Sequence, residues 1–479
     1  MRPHIIFRYT GLILLFNAAF LLVSCLISAF YRDSAFLPLL YSAIIAALFG
    51  VFPFTFVPPE TDITNKEGFV IVISSWIVSC LVGVLPYILW GGEFTLTNAW
   101  FESVSGFTTT GSSILTDIEA LPLGLLFWRS ATHWIGGIGI IIFALSVLPS
   151  MGRAGMLLYR TEMSPLAMEN FHYRTKKTLQ ILVIVYVGLT LAESIALIIC
   201  GMNWFDAVTH SFATIATGGF SPKNSSLAHY NSISIEMVVL VFMILSGLHF
   251  GLLFTAIRGK LSDAWNSSII RYYFLALTIG VLVTTLNVHG RQFFDWAEAL
   301  RYAAFQVVSL GTSTGFATTD TSGWSSFAQL VMIFFTLQCA CAGSTSGGIK
   351  VDRIVIFWKG LVKRIAKMRH PHAVITAKIN GVSIEDEVIE ATVLYITDYI
   401  GIVFLSSLII TALGVDTLSA FSGSAATMGN VGPGFGIVGS TSNFSQIPNF
   451  GKLVLTLTML LGRLEIFGVI LFVTARSWK

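Results

Sequence analysis

Four times along the chain a hydrophobic span runs into a short polar stretch carrying glycine, and then into another hydrophobic span. The stretches are Phe107-Thr-Thr-Thr-Gly-Ser-Ser113, Ala216-Thr-Gly-Gly-Phe-Ser221, Thr312-Ser-Thr-Gly-Phe-Ala317 and Gly429-Asn-Val-Gly-Pro-Gly434. Aligned on one glycine each, they put Gly111, Gly219, Gly315 and Gly432 in register. The spacings are 108 residues (111 to 219), 96 (219 to 315) and 117 (315 to 432). Self-similarity of this kind means that one chain builds four equivalent units. Four units around an axis enclose a passage.

The surroundings of those units are set by composition. Hydrophobic residues make up 54% of the 479, and only 11% are charged, against about 25% in an ordinary soluble domain. Apolar runs of about 20 residues recur, each long enough to cross about 30 Å of hydrocarbon. The chain reads as a polytopic membrane protein with no room for a large soluble domain. The first apolar run, residues 9–30, lacks a small-residue cleavage site and is expected to be a retained span. Lys and Arg cluster at Arg2 and Arg8, Arg153 to Lys177, Arg258 to Arg271, Lys350 to Lys378, and Arg476 and Lys479. The positive-inside rule makes these the cytoplasmic face, so both termini are expected inside and the crossings even in number. Cys25, Cys80, Cys200, Cys339 and Cys341 all lie in apolar runs. They are read as packing residues, not a disulfide framework or a zinc site.

The fold class expected is an all-α polytopic membrane protein. Four pseudo-repeated helix–pore loop–helix units surround a central pore, with an extra N-terminal helix pair. The organisation is 1–62 for the helix pair, 63–151 for unit one, 177–258 for unit two and 266–364 for unit three. A cytoplasmic connector (365–388) and unit four (389–479) follow. Ten crossings result, near 9–30, 36–58, 68–90, 121–148, 178–201, 233–257, 269–288, 325–358, 389–413 and 450–475.

Before each glycine stretch lies a segment that opens on polar and aromatic residues: Asn98-Ala-Trp-Phe-Glu102, Asn203-Trp-Phe-Asp206, Gln292-Phe-Phe-Asp295 and Asp416-Thr-Leu-Ser-Ala-Phe421. A helix of about ten residues rises only about 15 Å, so these suit half-membrane helices that enter from outside and turn back. Irregular backbone at membrane depth is tolerated where it is buried in protein or lines a wet cavity. Four such turns on one side can line a single pore. A dehydrated potassium ion needs its water replaced, and rings of backbone carbonyls do this. Glycine supplies the unusual dihedrals that aim carbonyls inward. The candidate potassium ligands are Thr109, Thr110 and Gly111; Thr217, Gly218 and Gly219; Ser313, Thr314 and Gly315; and Asn430, Val431 and Gly432. The fourth set is poorer in hydroxyls, so only moderate selectivity among potassium, rubidium and sodium is expected.

Unit three carries a second irregularity, Ala342-Gly-Ser-Thr-Ser-Gly-Gly348, inside its last hydrophobic stretch. Each glycine costs a helix about 1 kcal/mol relative to alanine, so the helix should unwind here, on the cytoplasmic side of the proposed filter. Gly343, Ser344, Thr345, Ser346, Gly347 and Gly348 form either a gate or a packing kink. Arg463, in Gly462-Arg-Leu-Glu465 of the last span, is too costly to face lipid and is expected to point into the pore at that level. Glu465 falls on another face and is expected to anchor a neighbouring helix. Arg129 and His133 lie nearer the outer end of their span, and snorkelling or packing accounts for them as well as function does. Around Asn380-Gly381, alternating residues read as a β-hairpin with a type I′ turn, either a docking surface or a solvated connector. Glu385-Asp-Glu387 reads as a helix start. No dinucleotide, P-loop, metalloprotease or nucleophile-elbow motif occurs. The chain is therefore read as a non-enzyme with no tightly bound cofactor, only potassium ions in the filter, and no nucleic-acid partner.

Together, Glu102-Ser-Val-Ser-Gly-Phe-Thr-Thr-Thr-Gly111, Ala216-Thr-Gly-Gly-Phe220, Ser313-Thr-Gly-Phe-Ala317, Met428-Gly-Asn-Val-Gly-Pro-Gly434 and Gly462-Arg-Leu-Glu465 resemble the membrane subunits of bacterial Trk potassium uptake systems, the TrkH family. KtrB and fungal Trk proteins are more distant relatives. The resemblance covers nearly the whole chain. It implies a homodimer with one pore per protomer in the bacterial inner membrane, and filter carbonyls just before Gly111, Gly219, Gly315 and Gly432. It also implies gating by Gly343 to Gly348 opposed by Arg463, and a cytosolic TrkA-like ring that binds NAD- or ATP-type nucleotides and controls opening. The rival reading is a sodium- or proton-coupled potassium symporter. Such carriers usually show inverted repeats, whereas these units share one orientation.

Overall fold

The computed structural model describes residues 2–58, 65–146, 175–259 and 265–474. Nearly all of the basic loop from Gly152 to Lys177, and Arg476 and Lys479, lie outside the described residues. The chain folds as an all-α polytopic membrane protein. Helices α1 (Pro3–Tyr31) and α2 (Phe36–Phe56) form the N-terminal pair. Unit one comprises α3 (Asn65–Gly83), α4 (Leu85–Trp90), the short α5 (Leu96–Phe107) and α6 (Leu123–Ser146). Unit two comprises α7 (Thr175–Ile199), the short α8 (Trp204–Ile215), α9 (Ile233–Ser246) and α10 (Phe250–Ile257). Unit three comprises α11 (Ser268–Val288), α12 (Trp296–Gly311), α13 (Ser326–Leu337) and α14 (Val351–Arg369). A hairpin of β1 (Ala377–Ile379) and β2 (Val382–Ile384) leads to unit four: α15 (Asp386–Ala412), α16 (Thr417–Met428), α17 (Asn449–Arg463) and α18 (Ile466–Thr474).

Among the described residues, six spans are long and apolar enough to cross a bilayer unaided. They are α1, α2, the α3–α4 pair, α7, α11 and α15. The pair α1–α2 packs on α3 and α6. Polar groups of the pair bond to unit one: Asn17 Nδ2 donates to Ser79 Oγ at 2.9 Å, and the Gly124 amide donates to Asp33 at 3.0 Å. Interhelical hydrogen bonds of this kind hold helices together where lipid supplies no hydrophobic drive.

The four short helices α5, α8, α12 and α16 have 12, 12, 16 and 12 residues, too few at about 1.5 Å per residue to span the membrane. Each starts the same way. The side chains of Thr95, Asn203, Asp295 and Asp416 accept the amide three residues on, from Asn98, Asp206, Glu298 and Ser419. These N-caps, each worth about 1 kcal/mol, explain why polar residues open every repeat.

Three of the four closing helices are interrupted, where the sequence pattern suggested only one break. The span expected over 233–257 bends by 109° between α9 and α10. At the bend His249 Nδ1 accepts the amides of Gly251 and Leu252 at 3.0 and 3.4 Å, which starts a new helix. The span expected over 450–475 breaks at Glu465, whose φ is +60°. Glu465 turns away to pair with Arg353 at 2.6 Å and Lys350 at 3.5 Å on unit three, while Arg463 turns inward. The hairpin has the expected register, with Ile379 opposite Val382 and positive φ at both Asn380 and Gly381, as a type I′ turn requires. Asn380 Oδ1 accepts the Ser268 amide at 2.8 Å, so the turn is fastened to the start of α11.

A candidate ion pathway

All four short helices end in one motif. The amides of Thr110, Gly218, Thr314 and Val431 bond back five residues, to the carbonyls of Ser105, Ala213, Ser309 and Ala426 at 2.8–2.9 Å. The amides of Thr109, Thr217, Ser313 and Asn430 bond back three residues, to Gly106, Thr214, Leu310 and Thr427. This is the Schellman C-cap, which needs a left-handed residue just past the helix. Here that residue is not glycine: φ is +51° at Thr109, +53° at Thr217, +56° at Ser313 and +51° at Asn430. Left-handed non-glycine residues cost about 1–3 kcal/mol each and persist where the surroundings impose them. Two residues on, Gly111, Gly219, Gly315 and Gly432 again have positive φ, from +78° to +100°.

The four stretches close on one another. A side-chain carbon placed on Gly111 would run into the carbonyl oxygen of Gly218, one on Gly219 into that of Thr314, and one on Gly315 into that of Val431. One on Gly432 would lie 2.7 Å from the carbonyl oxygen of Thr110. Each glycine thus touches the next unit's carbonyl, and the fourth returns to the first. The outer loops repeat this order. Asn224 binds Asp117 and Ile118, the Ala228 amide donates to Ala317, Thr321 binds Ser440, and the Phe444 amide donates to Ser113. Outside the membrane, the Asn224 amide also holds the Asp117 carboxyl below its usual range.

The twelve candidate ion-ligand residues singled out from sequence therefore come together. Thr109, Thr110, Thr217, Ser313, Thr314, Asn430 and Val431 are fully buried. The hydroxyls are partly spent on bracing: Thr108 and Thr110 share a hydrogen bond at 2.7 Å, and Thr312 and Thr314 one at 2.8 Å. In unit four the brace is Asn430, whose amide donates to Thr110 Oγ1 and to the Met459 carbonyl, both at 3.0 Å. A closed ring of carbonyls at the C-terminal ends of four short helices suits a bare monovalent cation. The carbonyls replace water, and each helix end carries about half a negative charge.

The unit-three loop joining α13 to α14 lies directly against this ring. Thr345 Oγ1 donates to the Ile215 carbonyl at 2.9 Å and is 3.3 Å from Thr217 Oγ1. The Gly347 amide donates to Ser313 Oγ at 3.2 Å, and Gly347 abuts Asn430. Arg463, 1% exposed, donates to the Thr345 carbonyl at 2.6 Å and to the Gly136 carbonyl of unit one at 3.1 Å. Among the described residues no carboxylate pairs with it. Gly343 and Gly348 supply left-handed turns, Ser344 and Ser346 are buried, and the Ala342 amide is held by Asp352 at 2.7 Å. The loop thus touches units two, three and four directly, and unit one through Arg463.

Arg129 does not snorkel. It is 1% exposed, pairs with the fully buried Glu102 at 2.8 Å, reaches the Ser221 carbonyl at 3.3 Å and lies 4.1 Å from the Phe220 ring centre. Glu102 also accepts from Ser113 Oγ and the Ile114 amide. This pair ties the outer rims of the first two stretches together behind the ring. Glu102 lies nine residues before Gly111, the register that His210 holds before Gly219, and a carboxylate at that depth of a short re-entrant helix is the usable sequence signal. Glu102→Ala strands a buried guanidinium, and losing one partner of such a pair costs about 3–5 kcal/mol. A large drop in the unfolding midpoint in detergent is expected. His133 is stacked on Phe220 at 4.1 Å and packs behind Gly218.

Four pseudo-equivalent units around a closed carbonyl ring, with a loop and a buried arginine beneath it, define a membrane protein of the cation-transport class. The TrkH family, described as a cation transport protein, matches residues 39–479, and the chain belongs to that family. It is 34% identical to the Trk system potassium uptake protein TrkH of Halomonas elongata over the full length of both. It is 35% identical to that of Escherichia coli K12 over 98% of both. The crystal structure of the potassium transporter TrkH from Vibrio parahaemolyticus superposes with a TM-score of 0.90 over the full length of both chains, at 32% identity.

Proposed function

We propose that the chain carries potassium, and rubidium with it, inward across the bacterial inner membrane through a gated, channel-like pore, and that it is not an enzyme. The observation that supports this most is the closed ring made by Thr110, Gly218, Thr314 and Val431 with the four glycines. The potassium uptake named for its relatives and for the superposed structure supports the same ion. Potassium ions in the ring are the only bound species this reading requires. The membrane potential drives the flow, at about 2.3 kcal/mol per charge per 100 mV. In this reading Gly343 to Gly348 and Arg463 form the gate. The protein works as a homodimer, both termini face the cytoplasm, and a nucleotide-binding cytosolic ring of the TrkA type opens the pore. The hairpin fastened to α11 belongs to the cytoplasmic face that such a ring would contact.

One feature favours a proton-coupled carrier. Glu193 on α7 is fully buried, and its oxygens have no hydrogen-bond partner among the described residues; the Thr214 hydroxyl beside it is committed to the His210 carbonyl. Ionisable groups at membrane depth often mark proton relays. Rubidium uptake into purified proteoliposomes, with sodium and pH varied separately, decides between the two. The pore reading expects uptake that follows voltage alone, in the wild type and in Glu193→Gln. Uptake that requires a proton gradient and is lost in Glu193→Gln establishes the carrier.

A further inference from the structure

We infer that the break in unit two is the seat on which the unit-three loop closes, and that the His249 ring is the positioning residue that fixes where it comes to rest. This rests on the reading of Gly343 to Gly348 as the gate.

Two main-chain hydrogen bonds join the break to the loop. The Cys341 amide donates to the Gly247 carbonyl at 3.0 Å, and the Phe250 amide donates to the Gly343 carbonyl at 3.2 Å. The loop thus satisfies the Gly247 carbonyl and the Phe250 amide at the junction of α9 and α10, which helps explain why a 109° bend is tolerated at membrane depth. His249 sits between these two bonds. Its Nδ1 accepts from Gly251 and Leu252, so the neutral ring carries its proton on Nε2. That atom is buried with no hydrogen-bond partner among the described residues. The ring edge faces Gly343: a side-chain carbon there would overlap Cδ2 and lie 2.6 Å from Nε2. Gly343 has φ +75°, which favours glycine on conformational grounds as well. Gly247 is as tightly enclosed, with Ala340 Cβ and Thr312 Cγ2 within 3.1 and 3.2 Å of where its Cβ would be. The loop therefore closes against a fixed ring on a neighbouring unit, and two bonds must move or break for it to leave.

The capping and positioning roles of His249 separate by substitution. Asparagine keeps an oxygen that can cap α10 but removes the ring edge from Gly343. In proteoliposomes of the full chain without a partner, His249→Asn should raise basal rubidium flux about tenfold, the scale of one lost packing contact. The rubidium-to-sodium ratio and the unfolding midpoint should not change. Gly343→Ala should also raise basal flux, and the double variant should rise less than the product of the two, because the smaller side chain relieves the overlap. His249→Gln serves as a second variant. A wild-type basal flux in the asparagine variant, a changed ion ratio, multiplying effects in the double variant, or failure of both amide variants to fold overturns the assignment. The chain shortened across Gly343 to Gly348 is the control. If neither it nor Arg463→Ala raises basal flux, the gate reading itself fails; if either rises while the His249 variants behave as wild type, only this inference fails.

Discussion

Gly219→Asp and Gly315→Asp are expected to abolish rubidium uptake while the protein still reaches the membrane. The reason is steric before it is electrostatic. Each glycine has a positive φ, +78° and +83°, where an L-residue is strained by about 1–2 kcal/mol. Each also lies against the carbonyl of the next unit, Thr314 for Gly219 and Val431 for Gly315. A side chain cannot be admitted without moving a main-chain carbonyl of the ring, and that neighbour is held by its own helix cap through Ser309 or Ala426. Alanine should already slow uptake about tenfold or more, since each 1.4 kcal/mol added to a barrier is a factor of about ten. Rubidium uptake in cells that lack their own potassium uptake, with membrane-localised protein quantified alongside, checks both variants. Uptake retained by the aspartate variants would mean that ions do not pass this ring.

Arg463→Ala, or a chain shortened across Gly343 to Gly348, raises the flux that flows without any partner. Arg463 brings a positive charge to the underside of the ring, hydrogen-bonded among the described residues to the carbonyls of Thr345 and Gly136. At an effective dielectric constant of about 20, a fixed charge within several ångströms opposes a monovalent cation by about 2–4 kcal/mol, roughly a hundredfold in rate. Removing it should raise basal rubidium flux by one to two orders of magnitude, about the range this energy allows. Shortening the loop removes the contacts of Thr345 and Gly347 with the second and third stretches and should act in the same direction. Neither change touches the ring carbonyls, so the order of preference among alkali ions should be kept. Unchanged basal flux in both variants removes the gate assignment.

Much of this was legible in the sequence because it repeats. Four glycines in register located the ring, and in units two and four the polar residues opening the short segment, Asn203 and Asp416, are the helix caps, while in units one and three the caps are Thr95 and Asp295. The unit-three break announced itself because three glycines and three hydroxyl residues cannot hold a helix cheaply. The other two breaks left no such trace. In unit two, Ser246, Gly247, His249 and Gly251 interrupt an otherwise apolar stretch, too little to announce a break, and the bend depends on His249 accepting backbone amides and on loop peptides from another unit. In unit four, the break at Glu465 follows from partners more than a hundred residues away in sequence, Arg353 and Thr345. Likewise, Arg129 could be placed only once Glu102 and Ser221 were seen beside it. Local composition reports local cost; tertiary satisfaction of a buried charge is invisible to it.

Recording from the purified chain in a planar bilayer, with potassium on one side and sodium on the other, tests the central claim most directly. The account predicts unitary currents favouring potassium and exceeding about a thousand ions per second, faster than a cycle limited by millisecond domain motion, and lost in Gly315→Asp. Slow, saturating transport with a fixed proton or sodium stoichiometry, or currents that survive Gly315→Asp, would contradict it.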